Sequence, residues 1–278
     1  LFRFRSLFDM YICLCGASDY TTYHYRSQNK DFEVLACRRC HLARTWPVPL
    51  AGKGLEEYYE DQEDYKDRFA QLELWQKFAQ RTLTIAQKYV PSGRLLDVGC
   101  NVGIFVAEAK RNGYDAHGVD LSHKAIEYGQ TKLGLTKELS IGTIAEHAYA
   151  DDSWDVITYI HCFEYLEYPE DEMKEARRIL KPGGILVIEV PRFFSVWRAV
   201  LGNRWYCFSP HQHIWQCGKR GVENILLRSG FEIVVAKTRI NLRHDITPTI
   251  QGVFKILLSA IAWLSGTGDN LIMIARKK

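Results

Sequence analysis

Leu95-Leu96-Asp97-Val98-Gly99-Cys100-Asn101-Val102-Gly103, followed further on by Gly118-Val119-Asp120, is the stretch on which the fold turns. The run 94–98 has the near-continuous hydrophobicity of a strand covered on both faces. Glycines at 99 and 103 allow a tight turn and a close backbone approach to a ligand where a Cβ would clash. Asp120 stands seventeen residues beyond Gly103, about the length of a helix plus a second strand. Its carboxylate is placed to accept hydrogen bonds from two ribose hydroxyls, as acidic residues do at this point of nucleotide-binding βαβ units. Strand, glycine turn, helix and second strand together describe a holder for an adenosine-bearing cofactor.

The glycine spacing separates two cofactor classes. A dinucleotide site uses G-x-G-x-x-G so that a helix N-terminus faces a pyrophosphate, whereas here the spacing is G-x-x-x-G behind the acidic Asp97. A carboxylate pointing into the turn repels a pyrophosphate and suits a cationic, amino-acid-bearing ligand. The stretch resembles the first motif, D-V-G-C-x-x-G, of class I S-adenosylmethionine-dependent methyltransferases of the small-metabolite type. Gly142-Thr143-Ile144-Ala145-Glu146 is similar to the family's adenine-contacting segment, and Ser153-Trp154-Asp155-Val156-Ile157 to the start of its fourth strand. His161-Cys162-Phe163-Glu164-Tyr165-Leu166 resembles H-V-L-E-H-L, with Tyr165 in place of the second histidine, and 178–184 resembles R-x-L-K-P-G-G.

The resemblance implies an α/β fold with a doubly wound, seven-stranded, mostly parallel sheet. It also implies S-adenosylmethionine as cofactor, held by Asp97, Gly99, Cys100, Asn101 and Gly103 in the loop and by Asp120 and Leu121 after the second strand. Thr143, Ile144, Ala145, Tyr159, Ile160 and His161 complete the implied contacts. The order of apolar runs agrees: a helix to 112, a strand at 116–119, a helix at 124–133, and strands at 139–141 and 156–160. A helix at 170–180, a strand at 185–190 and closing strands at 231–238 and 271–275 follow.

Composition bounds the rest. The 278 residues suffice for a full core plus an accessory module, and 47% hydrophobic with 25% charged residues is ordinary for a globular enzyme. A net charge of +3 does not by itself indicate a nucleic-acid partner. No apolar run reaches the roughly 18 residues of a spanning helix, and the start lacks a secretory h-region, so a cytoplasmic enzyme is expected.

Residues 1–50 have a different texture and hold four of the eight cysteines. Cys13-Leu14-Cys15 and Cys37-Arg38-Arg39-Cys40 flank a strand-like interval and resemble a small zinc ribbon, with Cys13, Cys15, Cys37 and Cys40 as metal ligands. The second pair has the usual C-x-x-C spacing. The first is one residue tighter, which leaves His24 or His41 as other sources of a fourth ligand. Four protein ligands make the expected zinc structural; the competing reading keeps the cysteines as buried apolar groups. Residues 51–92 read as a helical linker ahead of the methyltransferase domain at 93–278. In related methyltransferases a segment here closes over the cofactor, which makes Tyr58, Tyr59, Gln62 and Tyr65 candidate contacts.

Acceptor recognition is sought in the insertion 192–217, rich in aromatic residues and histidine, which resembles a loop of methyltransferases acting on quinones, sugars and other small metabolites. That family's loop histidine matches His213, while Cys217 and Gly218 replace its usual residues before the next helix. Methyl transfer to a hydroxyl also needs a base, and histidine near its ordinary pKa can serve. His213, then His161, then His211 are the candidates. The apolar run 250–264 reads as a buried helix, a dimer contact or an interfacial helix touching a membrane peripherally. The favoured reading is methyl transfer to a small-molecule acceptor, a hydroxyl on a sugar, quinone, lipid or other metabolite. The alternatives are an RNA base methyltransferase, for which residues 1–50 carry seven Lys/Arg against four Asp/Glu, and a non-catalytic cofactor-binding scaffold.

Overall fold

The computed structural model describes residues 12–27, 29–49, 64–240 and 250–278. Its centre is a seven-stranded sheet of β4 (Gly93–Val98), β5 (Tyr114–Asp120), β6 (Leu139–Ile141), β7 (Trp154–Ile160), β8 (Leu180–Pro191), β10 (Phe231–Arg239) and β11 (Asn270–Lys277). The spatial order is β10-β11-β8-β7-β4-β5-β6, and only β11 runs against the others. This is the expected doubly wound sheet.

Burial on both faces explains the unbroken apolar runs. Leu96, Ile157, Leu186 and Ile188 enter one hydrophobic cluster. Their chain neighbours Leu95, Val156, Ile185 and Val187 enter the cluster on the other face. With a period of two and helices on each side, neither set meets water.

The helices begin where their sequences allow. In α2 (Leu72–Ala86), Ala79, Thr82, Leu83 and Ala86 form the buried face at helical spacing. It is preceded by α1 (Asp64–Ala70), so the described part of the expected helical linker is two helices meeting at Gln71. Next comes α3 (Ile104–Arg111). Ser122 Oγ accepts the Ala125 N–H at 3.2 Å to start α4 (His123–Leu133), which stops at Gly134 with φ +69°. In α5 (Pro169–Ile179), proline opens the helix, acids fill its first turn and arginines its last, matching the helix dipole.

A second sheet forms from β1 (Tyr20–Ser27), β2 (Lys30–Cys37), β3 (Ala43–Trp46) and β9 (Trp215–Gln216), in that order and antiparallel. The first three strands come from the cysteine-bearing segment and the fourth from the distant insertion. Arg192 bridges Cys217, and the Phe193 N–H donates to Cys217 O at 2.9 Å, closing the insertion at its base. Within it, α6 (Val196–Leu201) is a helix that sequence periodicity had not marked, and α7 (Lys219–Arg228) follows. Phe193, Trp205 and Phe208 pack on Val34, Ala36 and Ala43 of the small sheet. The aromatic residues of the insertion thus spend much of their surface on this contact.

The apolar run forms α8 (Ile250–Leu264). Leu258 and Ala262 are buried, whereas Leu257, Ile261, Trp263 and Leu264 face outward, so the helix is not wholly buried among the described residues. No helix among them is long and apolar enough to cross a membrane.

Candidate active site

Strand order reverses between β4 and β7, where the loops after the two strands diverge and leave a crevice at their carboxyl ends. The opening motif occupies that crevice. Gly99 and Gly103 take φ of +73° and +77°, and Asn101 +51°. A Cβ at Gly99 would overlap Cys162 Sγ, so the turn requires glycine for its conformation and for room.

Asp97 and Asp120 are fixed in complementary ways. Asp97 is buried and accepts the Thr158 hydroxyl at 2.6 Å. Burial pushes its carboxyl up to about 7, against the lowering effects of Thr158 and Arg68 and with a further rise from Asp120. A buried carboxyl so displaced gains most from a cation brought beside it. Asp120 receives the Asn101 N–H at 2.7 Å on one oxygen and the Ser122 N–H at 2.9 Å on the other. Burial raises it as well. Each oxygen keeps an acceptor position for a ligand hydroxyl.

A pocket opens beside this turn, lined by Arg68, Trp75, Phe78, Asp97, the 99–102 loop, Phe105 and Ile160, among others. Arg68, Trp75 and Phe78 were not singled out from sequence. Their helices were legible as an amphipathic segment, but which face meets the turn depends on how α1 and α2 dock. Tyr65 and Phe69 set α1 on Tyr128 of α4, with ring centroids 5.2 and 5.4 Å apart. The Arg68 guanidinium lies 4.7 Å from the Trp75 ring centre. Tyr59, Tyr58 and Gln62 fall outside the described residues.

The other expected contacts follow along the sheet edge. The segment after β6 buries Ile144 and exposes Ala145, while Glu146 Oε2 accepts both the Thr143 N–H at 2.7 Å and its hydroxyl at 3.0 Å. Leu121, half-buried, follows Asp120 directly. Tyr159 differs from its sequence-based placement: its side chain points away from the crevice and donates to Glu172 Oε1 at 2.8 Å, leaving only backbone at the site.

The three histidines separate. His161 directly follows β7 with φ +53°, and its N–H donates to Glu189 O at 2.8 Å. Its ring lies 5.6 Å from that of pocket-lining Phe78, and Nδ1 stands 3.7 Å from Glu164 Oε1. That is an ion-pair distance too long for a hydrogen bond. Glu164 is 2% exposed, and its Oε2 has no hydrogen-bond partner among the described residues. His213 is buried, with Nε2 3.2 Å from the Tyr165 hydroxyl. Burial pushes its pKa down to about 4, more than Glu164 raises it. A ring so placed is a weak base at neutral pH. His211 stacks on Tyr25 of β1 at 6.2 Å, and burial lowers its pKa.

The four cysteines converge. Cys13 Sγ lies 3.5 Å from Cys40 Sγ and Cys15 Sγ 3.6 Å from Cys37 Sγ, all four within 4.8 Å of one another. Four sulfurs around one tetrahedral zinc would stand about 3.8 Å apart, so the cluster fits such an ion. The tight C-x-C pair therefore reaches the site without help from histidine. His24 instead faces Glu33 at 3.3 Å, and His41 packs on Phe194 at 4.8 Å. The hydrogen bond between Cys13 and Cys40 pushes the Cys13 thiol up and the Cys40 thiol down. A bound cation would release the protons that these buried sulfurs hold.

Residues 66–236 match a family described as a methyltransferase domain. The chain belongs to that family. Among its relatives, this methyltransferase domain is 30% identical over 130 residues to the ubiquinone/menaquinone biosynthesis C-methyltransferase of Geotalea daltonii, covering 43% of this chain and 54% of the relative. It is 29% identical over 119 residues to a ubiquinone biosynthesis O-methyltransferase of Cereibacter sphaeroides, covering 40% and 47%. The chain spans about half the length of the curated relatives it matches. A SAM-dependent methyltransferase of Thermotoga maritima superposes with a TM-score of 0.57 at 22% identity, over 80% of this chain and 98% of that one. One from Archaeoglobus fulgidus gives 0.56 at 20%, over 74% and 94%. Both structures share the fold of the methyltransferase domain.

Proposed function

We propose that this methyltransferase domain transfers the methyl group of S-adenosylmethionine to a hydroxyl of a small-molecule acceptor, with His161 as the base. The observation that carries the reading is the placement of His161 beside Phe78, which lines a crevice whose buried Asp97 favours a cation. When bound, S-adenosylmethionine supplies an electrophilic methyl on a positively charged sulfur. Asp97 opposes positive charge, Asp120 accepts from the ribose hydroxyls, and Arg68 offers a counter-charge to a carboxylate. Trp75, Phe78, Phe105 and Ile160 exclude water. His161 Nδ1 faces Glu164, which leaves Nε2 to take the acceptor proton while the crevice aligns the oxygen. His213, first among the sequence candidates, acts here through Tyr165 as a positioning residue.

The named relatives act in ubiquinone or menaquinone biosynthesis, which supports a hydroxylated ring as the first acceptor class to try. The small sheet packs its apolar residues on the insertion, which supports a structural role for the cysteine segment over an RNA-reading one. Zinc on the four cysteines agrees with their spacing. Labelled methyl transfer to a panel of phenols, quinols and sugars, with calorimetry for S-adenosylhomocysteine, tests the reading. His161→Ala should lower transfer by about 10²-fold or more while leaving cofactor affinity nearly unchanged. An undiminished rate in that variant would remove His161 as the base, and no detectable cofactor binding by the parent protein would remove the function.

A further inference from the structure

We propose that metal at the four-cysteine site holds the buried segment 213–217 in place, so that metal occupancy governs the order of this segment and of the 163–166 turn it touches while leaving the residues that fix Asp97 and Asp120 intact. This rests on the metal reading given above and adds to it a route from the cysteines to that turn.

The route begins where the second cysteine pair ends. Cys40 is followed by His41, Leu42 and then β3, whose Ala43 pairs Gln216 and whose Arg44 pairs Trp215. Thr45, fully buried, reinforces the same contact: its N–H donates to Ile214 O at 2.9 Å and its hydroxyl to His213 O at 2.8 Å. Gln216 Nε2 adds longer bonds of 3.4 Å to Thr45 Oγ1 and His213 O. The segment carrying His213 is therefore written onto β3 by hydrogen bonds spanning more than half the chain.

Packing agrees with the hydrogen bonds. Cys13, Cys37, Cys40 and Leu42 share one buried cluster with Ile214, Trp215, Cys217 and Val222. The cysteine turn comes so close that a Cβ at Gly218 would overlap His41 O, and one at Gly221 would lie 2.6 Å from Leu42 Cβ. This accounts for glycine at 218, directly after Cys217. From β9 the route continues inward: Trp215 Nε1 donates to Leu166 O at 2.7 Å, and His213 meets Tyr165, one residue from Glu164 and its neighbour His161.

Apart from the cysteine cluster, the small sheet is held by packing on the insertion and on the shared core and by its seam with β9. Strands of eight, eight, four and two residues do not make a core of their own, and a metal cross-link is the usual supplement in so small a segment. The hydrogen bonds that fix Asp97 and Asp120 come from Thr158, Asn101 and Ser122, none of them on the cysteine segment. Losing the metal loosens the segment packed against Tyr165 and Leu166 and spares the turn that holds Asp97 and Asp120.

The test compares zinc-loaded full-length protein with the same protein after chelation, and with Thr45→Val, by hydrogen exchange, metal analysis and calorimetry with S-adenosylhomocysteine. Chelation should lower protection of 213–217 and 163–166 by roughly tenfold or more, with cofactor affinity changed by less than about threefold. Thr45→Val should loosen 213–216 with its zinc retained. Full protection of 213–217 in metal-free protein overturns the coupling and leaves the metal reading standing. Failure to bind zinc overturns both, and loss of cofactor affinity along with the metal overturns the separation of the two sides.

Discussion

Thr158 Oγ1 donates a 2.6 Å hydrogen bond to Asp97 Oδ1 between adjacent strands, with both side chains buried. The bond aims the carboxylate of the opening motif and favours its ionised form. Thr158→Val keeps the β-branched shape and deletes the donor. A hydrogen bond to a charged group contributes about 1.5–3 kcal/mol, so calorimetry should show S-adenosylmethionine bound roughly ten- to a hundredfold more weakly. Unchanged affinity would exclude a role for Asp97 orientation in binding.

Asp97 should also give cofactor binding a pH dependence. Its carboxyl is raised to about 7, chiefly by burial, and a cation selects the ionised form. Affinity should climb as pH rises from about 6 to about 8, a rise that Asp97→Asn removes. Stability of the ligand-free protein runs the opposite way. The folded pKa lies above the unfolded one, so the stabilisation is present below about pH 4 and is lost as pH rises through about 7. Urea unfolding of parent and Asp97→Asn proteins across that window would reveal the difference, an upper bound on the order of 4 kcal/mol.

His213 predicts a loss on the acid side. Burial lowers its pKa to about 4, below that of the unfolded chain. The stabilisation from keeping the ring neutral is complete above about pH 6.5 and disappears as pH falls through about 4. Thermal unfolding of His213→Phe should show a weaker decline over this range than the parent. An identical decline would assign the acid sensitivity elsewhere.

Arg239 and Glu189 supply a stability test away from the cofactor. Glu189 is fully buried, its Oε2 3.2 Å from Arg239 and 2.9 Å from Thr82 Oγ1 on α2. Arg239→Met leaves that carboxylate without its cation and should cost about 3–5 kcal/mol in urea unfolding. Adding Glu189→Gln to that variant should recover part of the loss, because the uncompensated charge is gone. No recovery would mean that Arg239 stabilises through packing alone.

Much of this molecule was legible before its structure. Alternating apolar runs placed the central strands and their helices, because burial of both sheet faces leaves a mark in consecutive residues. Glycines 99 and 103 marked the turn, and Asp97 and Asp120 its two ends, because turn geometry and strand length act over short distances. The insertion was visible as aromatic density, but α6 and the two-residue β9 were too short to register as periodic patterns.

The sequence by itself determined the doubly wound sheet, the glycine turn between Asp97 and Asp120 and the identity of the four cysteines, since each depends on local spacing and on which residues avoid water. Tertiary structure alone decided that the C-x-C pair reaches the other two sulfurs, that Arg68 and Trp75 roof the crevice, and that Tyr159 turns away from it. It also decided that His213 is spent on Tyr165 while the His161 ring lies against that of Phe78. The reason is the length of chain between partners: Thr45 and His213, 168 residues apart, meet only because the whole core folds between them.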